Sequence, residues 1–279
     1  MNKRPCSLFS ICLLLSGCLV HRQGMYLSPT DSQSLPYHTI PLRSDSIKSA
    51  WYGGLVFSTG TANDQGKDWV RAGQANIYRS HNLGKAQAFY GANITMGTYG
   101  VLDFYNSHYT PGQPGFIGGG GQPIDSFYHI PADQYFFGTY GVSAGINGLK
   151  TLRNMEWRYL GFEFSLQKEF GDYYRFRESL PDTAANIIFK NNFTGIIGIY
   201  TESLWHNRWN TQYGLKFSLS MLLNPQGNYT KEDTYGIYPV SYFSTTFHIT
   251  AKRSTGFMQF NFGTKASSFQ IGMSYMIAR

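Results

Sequence analysis

Ser244 and His248 are a serine and a histidine on one predicted strand, the residue types of a nucleophile and its base. Side chains alternate along a strand, so the two share a face, but four extended residues separate their Cα atoms by about 13 Å. A nucleophile and its base must come within hydrogen-bonding distance. The spacing therefore disfavours a catalytic pair and favours two polar groups on a polar strand face.

Other residues give weaker chemical signals. Asp172, Glu178 and Asp182 lie in one predicted loop and His129 in another, which are the residue types of a carboxylate-and-histidine protease. The seven histidines include no His-x-x-x-His pair, so no metal or other cofactor is expected. The glycine run over 118–121 lacks the lysine and the helix start that a phosphate-binding loop needs.

The composition shows that apolar residues are dispersed along the chain. Charged residues make up 14%, aromatic residues 17% and hydrophobic residues 42%, and 31 residues are glycine. Beyond the extreme N-terminus no apolar run is long enough for a membrane-spanning helix. The net charge of +7 is scattered, which favours contact with anionic lipid over binding of nucleic acid.

The N-terminus carries the sharpest motif. Two basic residues precede an apolar stretch over Leu8–Leu15, and Leu-Ser-Gly-Cys ends at Cys18. This pattern resembles the bacterial lipobox. The resemblance implies that residues 1–17 are a signal peptide cut before Cys18, and that Cys18 carries a thioether-linked diacylglycerol with acyl chains such as palmitate. An ordinary signal peptide with a chance cysteine is the alternative.

Residues 18–48 are predicted to be a flexible, lipid-anchored tether, because Pro29, Pro36 and Pro41 stand among many Ser and Thr residues. An acidic patch after the lipidated cysteine resembles a surface-export signal in Bacteroidota lipoproteins. None follows Cys18, so the tether is expected on the periplasmic side.

From residue 50 onward, apolar and polar side chains alternate with the period of strands. Lipid-facing positions are predicted at Tyr90, Ile94, Tyr140, Phe217 and Met273. The predicted strands cover 50–58, 69–79, 85–97, 135–147, 154–169, 187–200, 208–222, 237–251, 255–263 and 267–278.

Three features favour a membrane barrel over a soluble sandwich. The strands are longer than the usual five or six residues. Their polar faces carry only single charges (Lys85, Glu163 and Lys216), as expected of a narrow lumen, where these three residues are candidates for an ion-pair network. Aromatic residues cluster near strand ends, and every even-numbered link between strands is short, as periplasmic turns are.

The sequence therefore predicts an all-β fold, a closed antiparallel up-and-down transmembrane β-barrel of about ten strands over residues 49–279. The final strand resembles the terminal strand of bacterial barrels, although it ends on Arg279 where an aromatic residue is more common. Together with the lipobox, the strands resemble small outer-membrane barrels of Bacteroidota. That resemblance implies an outer-membrane location with both termini periplasmic.

Several functions remain open at this point. The leading hypothesis is a non-enzymatic structural or interaction component, with outer-membrane lipid and other outer-membrane or periplasmic proteins as partners. A narrow channel or small-ligand transporter, a barrel enzyme resembling phospholipases, lipid A deacylases or omptin-like proteases, and a soluble lipid-anchored β-sandwich are alternatives. The aromatic loop over 98–134 could cover the mouth, or bind a sugar or a peptide.

Overall fold

The computed structural model describes residues 25–32, 35–40, 47–62, 68–107, 127–152, 155–182, 184–185, 187–207, 211–223, 240–263 and 266–279. Ten antiparallel strands form one closed barrel, in which each strand pairs with its neighbours in the chain and the last pairs with the first. The strands are β1 (Ser49–Ala62), β2 (Asp68–Asn82), β3 (Ala86–Val101), β4 (Asp133–Leu152), β5 (Met155–Gly171), β6 (Phe193–His206), β7 (Thr211–Leu222), β8 (Ser241–Ala251), β9 (Ser254–Gly263) and β10 (Ser267–Ala278).

This architecture confirms the predicted ten-stranded antiparallel barrel. The alternative of a soluble sandwich is wrong, because β10 pairs with β1 along its length and leaves one closed sheet. Several strand boundaries differ from the predicted ones, and the sixth strand differs most. The sixth strand, predicted over 187–200, is β6 over Phe193–His206, and Ile187–Ile188 instead pairs in parallel with Met25–Tyr26.

The links between strands sort the barrel into two ends. The even-numbered links, 83–85, 153–154, 207–210 and 252–253, are all short, as predicted, and define the short-turn end. Gly84 allows one of these turns, because its φ of +85° lies in the left-handed region. The opposite end, which carries the longer links 102–132, 172–192 and 223–240, is called the long-loop end.

The two faces of the wall differ in chemistry. Large apolar side chains on the outer face are exposed on every strand, for example Leu55, Tyr140, Leu219 and Met273. The inner face is buried and mainly polar, with Ser, Thr, Asn, Gln and charged residues among its side chains. This split confirms the predicted alternation. Within the described ranges, no helix is both long and apolar enough to cross a membrane.

Aromatic residues close the long-loop end. Helix α1 (Asp172–Ser179) follows β5, and a short hairpin pairs Phe104–Ser107 with Phe127–Ile130. Tyr99 of β3 stacks on Tyr173 of α1 with 3.8 Å between ring centroids. Burial raises the pKa of the Tyr173 hydroxyl well above its usual range, so that residue remains a neutral packing group.

The prediction of a flexible tether over 18–48 is wrong for residues 25–32 and 35–40, here called the lumen segment. Side chains of this segment are buried inside the barrel, among them Tyr26, Leu35, Tyr37 and His38. The physical reason is that polar groups of the segment form hydrogen bonds with the inner wall in place of water. A segment rich in Pro and Ser can therefore be buried. Cys18 and residues 1–17 lie outside the described residues.

Candidate functional site

The most densely bonded part of the lumen is the contact between residues 35–40 and the wall near the short-turn end. Tyr37 is the central side chain. Its hydroxyl donates to Glu202 Oε1 at 2.9 Å and lies 3.1 Å from His248 Nε2. His248 Nε2 is itself 2.8 Å from the same Glu202 oxygen, and its ring stacks on Tyr37 with 4.4 Å between centroids. The segment is thereby bonded to both β6 and β8.

Arg158 of β5 supplies the positive charge of this cluster. Its Nη1 donates to Glu202 Oε2 at 2.6 Å, and its Nε donates to Gln87 Oε1 at 2.8 Å. Its Nη2 donates to the backbone oxygen of Ile40 at 2.9 Å. Arg158 and Glu202 are 0% and 2% exposed, so this charge pair is desolvated and depends on complete hydrogen bonding. We call Arg158, Glu202, His248 and Tyr37 the charge clamp.

The next residues of the segment contact other walls of the barrel. His38 stacks on Phe89 of β3 at 4.5 Å, and its Nε2 lies 3.3 Å from Ser143 Oγ of β4. The backbone N–H of Thr39 donates to the Tyr78 hydroxyl on β2 at 2.9 Å. The segment therefore touches strands on opposite sides of the lumen and fills the space between them.

Aromatic packing holds the other end of the segment, at the long-loop end. Tyr26 is 0% exposed and meets Phe104 and Phe176 edge to face, with ring centroids 6.3 and 5.7 Å apart. Its backbone oxygen accepts from the N–H of Phe189 at 2.9 Å. Nearby, Arg177 bonds to Glu169 and donates to the Phe189 oxygen at 2.7 Å. We call the rings around Tyr26 the aromatic collar, formed by Phe104, Tyr135, Tyr173 and Phe176.

The structure separates the three predicted lumen charges. Lys216 Nζ donates to Glu163 Oε2 at 2.7 Å inside the lumen and lies 4.1 Å from the centre of the Tyr200 ring. Lys85 is not in the lumen. It is exposed in the turn between β2 and β3, because the strand predicted to begin at 85 begins at Ala86.

The other candidate residues fall in different places. Ser244 and His248 both face the lumen, and His248 bonds to Glu202 and Tyr37. His129 lies 3.4 Å from Asp103 on the short hairpin.

Of the loop carboxylates proposed as protease residues, Asp182 pairs with Lys190 at 2.7 Å, while Asp172 and Glu178 are exposed on α1. The glycine run over 118–121 lies outside the described residues. Across the described part of the chain, no cluster of three His, Cys, Asp or Glu residues is placed to hold a metal ion.

Sequence reasoning missed Arg158 because of a β-bulge. Gly148 pairs with Leu160 and Leu149 pairs with Arg158, so Tyr159 is an extra residue in β5. Tyr159 and Leu160 both face outward, and the alternation changes phase between Glu163 and Arg158. Strict alternation from Glu163 places Arg158 on the lipid face. A single arginine among apolar outward positions is the signal that could have revealed the bulge.

The charge clamp is arranged to hold the lumen segment in place. The buried donors and acceptors of Arg158, Glu202 and Tyr37 bond to one another and to the segment. Such an arrangement fixes the position of the segment. The hydroxyl of Ser244, the candidate nucleophile, forms no hydrogen bond with His248.

Comparison with known proteins identifies no family for this chain. No protein-family model matches the chain, and no curated protein matches its sequence. Among solved structures, the β domain of the Bordetella autotransporter BrkA is 8% identical, covers 83% of this chain and 100% of its own, and has a TM-score of 0.42.

Two further structures are similar at the same level. An outer membrane channel from Pseudomonas putida F1 is 8% identical, with 90% of this chain and 100% of its own covered and a TM-score of 0.36. The translocator domain of the autotransporter NalP from Neisseria meningitidis is 8% identical, with 85% and 91% covered and a TM-score of 0.31. At these identities and TM-scores the likeness transfers no function to this chain.

Proposed function

We propose that this chain is a bacterial outer-membrane β-barrel lipoprotein that occludes its own lumen and acts as a non-enzymatic structural or interaction component. The observation that carries the proposal is the lumen segment, whose residues 35–40 are buried between opposite walls. A barrel filled in this way presents its loops and its outer face to other molecules.

The outer face supports a membrane location. Exposed Leu, Ile, Phe, Met and Tyr side chains surround the barrel, for instance Phe57, Ile94, Leu219 and Ile271. An apolar belt that encircles a protein is far larger than the patches that soluble monomers expose. Closure of the sheet also leaves no unpaired backbone edge, as a membrane requires.

Planar-bilayer recording tests the occlusion. We expect no steady ionic current from the wild-type protein. A full-length variant in which residues 35–40 are replaced by Gly and Ser keeps the chain length but loses Tyr37 and His38, and it should conduct. A matched variant replaces the outward residue Leu219 with Ser and should remain silent. Equal conductance of wild type and the 35–40 variant would contradict occlusion.

Acyl labelling tests the lipoprotein part of the proposal. Cells fed labelled palmitate should incorporate the label into the wild-type chain, and Cys18→Ser should abolish it. A label that persists in Cys18→Ser would contradict lipidation at that residue.

Partner binding is tested by mild extraction of the protein with and without the 98–134 link, followed by identification of the proteins that co-purify. Isolation of the wild type as a lone monomer would count against an interaction role.

A gated channel is the second candidate function. The observation that favours it is that the segment is held by side-chain hydrogen bonds, such as Tyr37 to Glu202, while the wall closes through its own strand pairing. The barrel can therefore persist when the segment moves. Reversible opening of the wild-type protein under applied voltage would favour this function over permanent occlusion.

A further inference from the structure

The direction of the lumen segment is set by its two anchoring points. Tyr26 lies in the aromatic collar at the long-loop end, against Phe104 and Phe176. Ile40 lies at the other end, where its backbone oxygen accepts from Arg158, three residues after the start of β5. The segment therefore descends from the long-loop end to the short-turn end as residue numbers increase.

The first strand then continues from the short-turn end. Ser49 begins β1 opposite His81, next to the turn at 83–85, and Ile47 packs on Tyr52, Tyr78 and Met276. The last strand finishes at that same end with Ala278. Met25 and Ala278 thus lie at opposite ends of the barrel.

The short distance from Met25 to Cys18 limits where the mature N-terminus can lie. Seven residues of fully extended chain reach about 25 Å. The hydrocarbon core of a bilayer is about 30 Å thick. A chain of seven residues is therefore too short to span the bilayer from Met25, and residues 25–32 and 35–40 occupy the route through the lumen.

We propose that the mature chain is threaded, so that its N-terminus and any lipid on Cys18 lie on the long-loop side, opposite the C-terminus. This inference rests on the outer-membrane location of the proposed function. With the short turns in the periplasm, as the sequence predicts, the long-loop side is the cell surface. The acyl chains of Cys18 would then insert into the outer leaflet beside the barrel. The proposed partner of the N-terminal end is therefore the lipid surface on the long-loop side of the barrel.

Epitope accessibility on cells tests this topology in the full-length protein. Three variants carry the same short epitope, one inserted within residues 19–24, one within the 224–239 link and one after Arg279. Antibody binding is measured on intact and on permeabilised cells, and heat-dependent gel migration confirms that each barrel has folded. We expect the first two epitopes to bind antibody equally before and after permeabilisation, and the third to bind only after it.

The 224–239 epitope separates the failure of threading from the failure of the membrane orientation. If the N-terminal epitope behaves like the C-terminal epitope and unlike the loop epitope, the threaded topology is overturned. If the N-terminal and loop epitopes are both hidden while the C-terminal epitope is accessible, threading holds and the proposed orientation is wrong.

Discussion

The two ends of the lumen segment are held by different forces. At the long-loop end, Tyr26 is surrounded by aromatic rings, and the backbone of Met25–Tyr26 pairs in parallel with Ile187–Ile188. At the short-turn end, Tyr37 and Ile40 bond to the buried charges of the charge clamp. Aromatic packing is tolerant of direction, whereas a buried ion pair requires complete and directed hydrogen bonding. The collar thus supplies apolar burial beside a short backbone pairing, and the clamp supplies directed bonds between charged and polar side chains.

The largest effect should come from removing the cation of the clamp. Arg158→Met leaves Glu202 and Glu156 buried without their guanidinium partner, which is expected to lower the free energy of unfolding by about 3–5 kcal/mol. Urea titration followed by gel migration measures it. The control, Arg175→Met, alters a side chain that is 80% exposed and should change stability by less than about 0.5 kcal/mol. Equal losses from the two variants would refute a charge-based clamp.

A comparable test at the other end removes the aromatic anchor. Tyr26→Ala opens a cavity in the collar and should lower the free energy of unfolding by about 3 kcal/mol. The same titration measures it, with Tyr159→Ala on the outer face as control, since Tyr159 is 50% exposed. The collar interpretation predicts that the Tyr26→Ala loss is independent of salt. A loss no larger than that of Tyr159→Ala would show that the collar does not hold the segment.

A glycine pair tests the clamp by sterics. A Cβ at Gly214 would overlap the His248 imidazole, whereas a Cβ at Gly256 meets nothing within 4 Å. Gly214→Ala should displace His248 from Glu202 and cost about 2 kcal/mol of unfolding free energy. Gly256→Ala should be nearly neutral in the same titration. Similar values for the two alanines would mean that the His248 position is unimportant.

The smallest expected effect belongs to one hydroxyl. Tyr37→Phe keeps the ring stacked on His248 but removes the donor to Glu202, which still bonds to Arg158 and His248. The expected loss is about 1 kcal/mol, with more frequent conducting events in bilayer recordings. Tyr174→Phe, which removes a surface hydroxyl 3.4 Å from Glu178 Oε1, should change neither quantity. If Tyr37→Phe shows no conducting events and unchanged unfolding free energy, the collar and not the Tyr37 hydroxyl holds the segment.

Most of the wall could be predicted from the sequence, since alternation and link length follow from local chemistry. Outward residues such as Tyr140 and inward residues such as Glu163 fall where period two places them. The lumen segment could not be predicted in this way. Its residues are bonded to strands that are distant in the sequence. For example, Gln259 Nε2 donates to the backbone oxygen of Leu35 at 2.9 Å. A local sequence pattern cannot predict such a contact.

The charge clamp was hidden by two local irregularities. Arg158 directly precedes the extra residue Tyr159, at which the alternation reverses, and Glu202 lies beyond the predicted end of the sixth strand at residue 200. The partners Lys216 and Glu163 lie within regular strands, and both were identified as inward charges. The difference shows that period two identifies inward groups only where the strand is uninterrupted.

The pairing of β10 with β1 has a consequence for the order of biogenesis. If the wall closed first, the lumen segment would have to enter afterwards, between inward side chains such as Phe89, Tyr78 and Arg158, which are buried in the folded barrel. We therefore expect the segment to be in place before β10 pairs with β1. The barrel is then expected to close around its own N-terminal segment, with the pairing of β10 and β1 as the closing step.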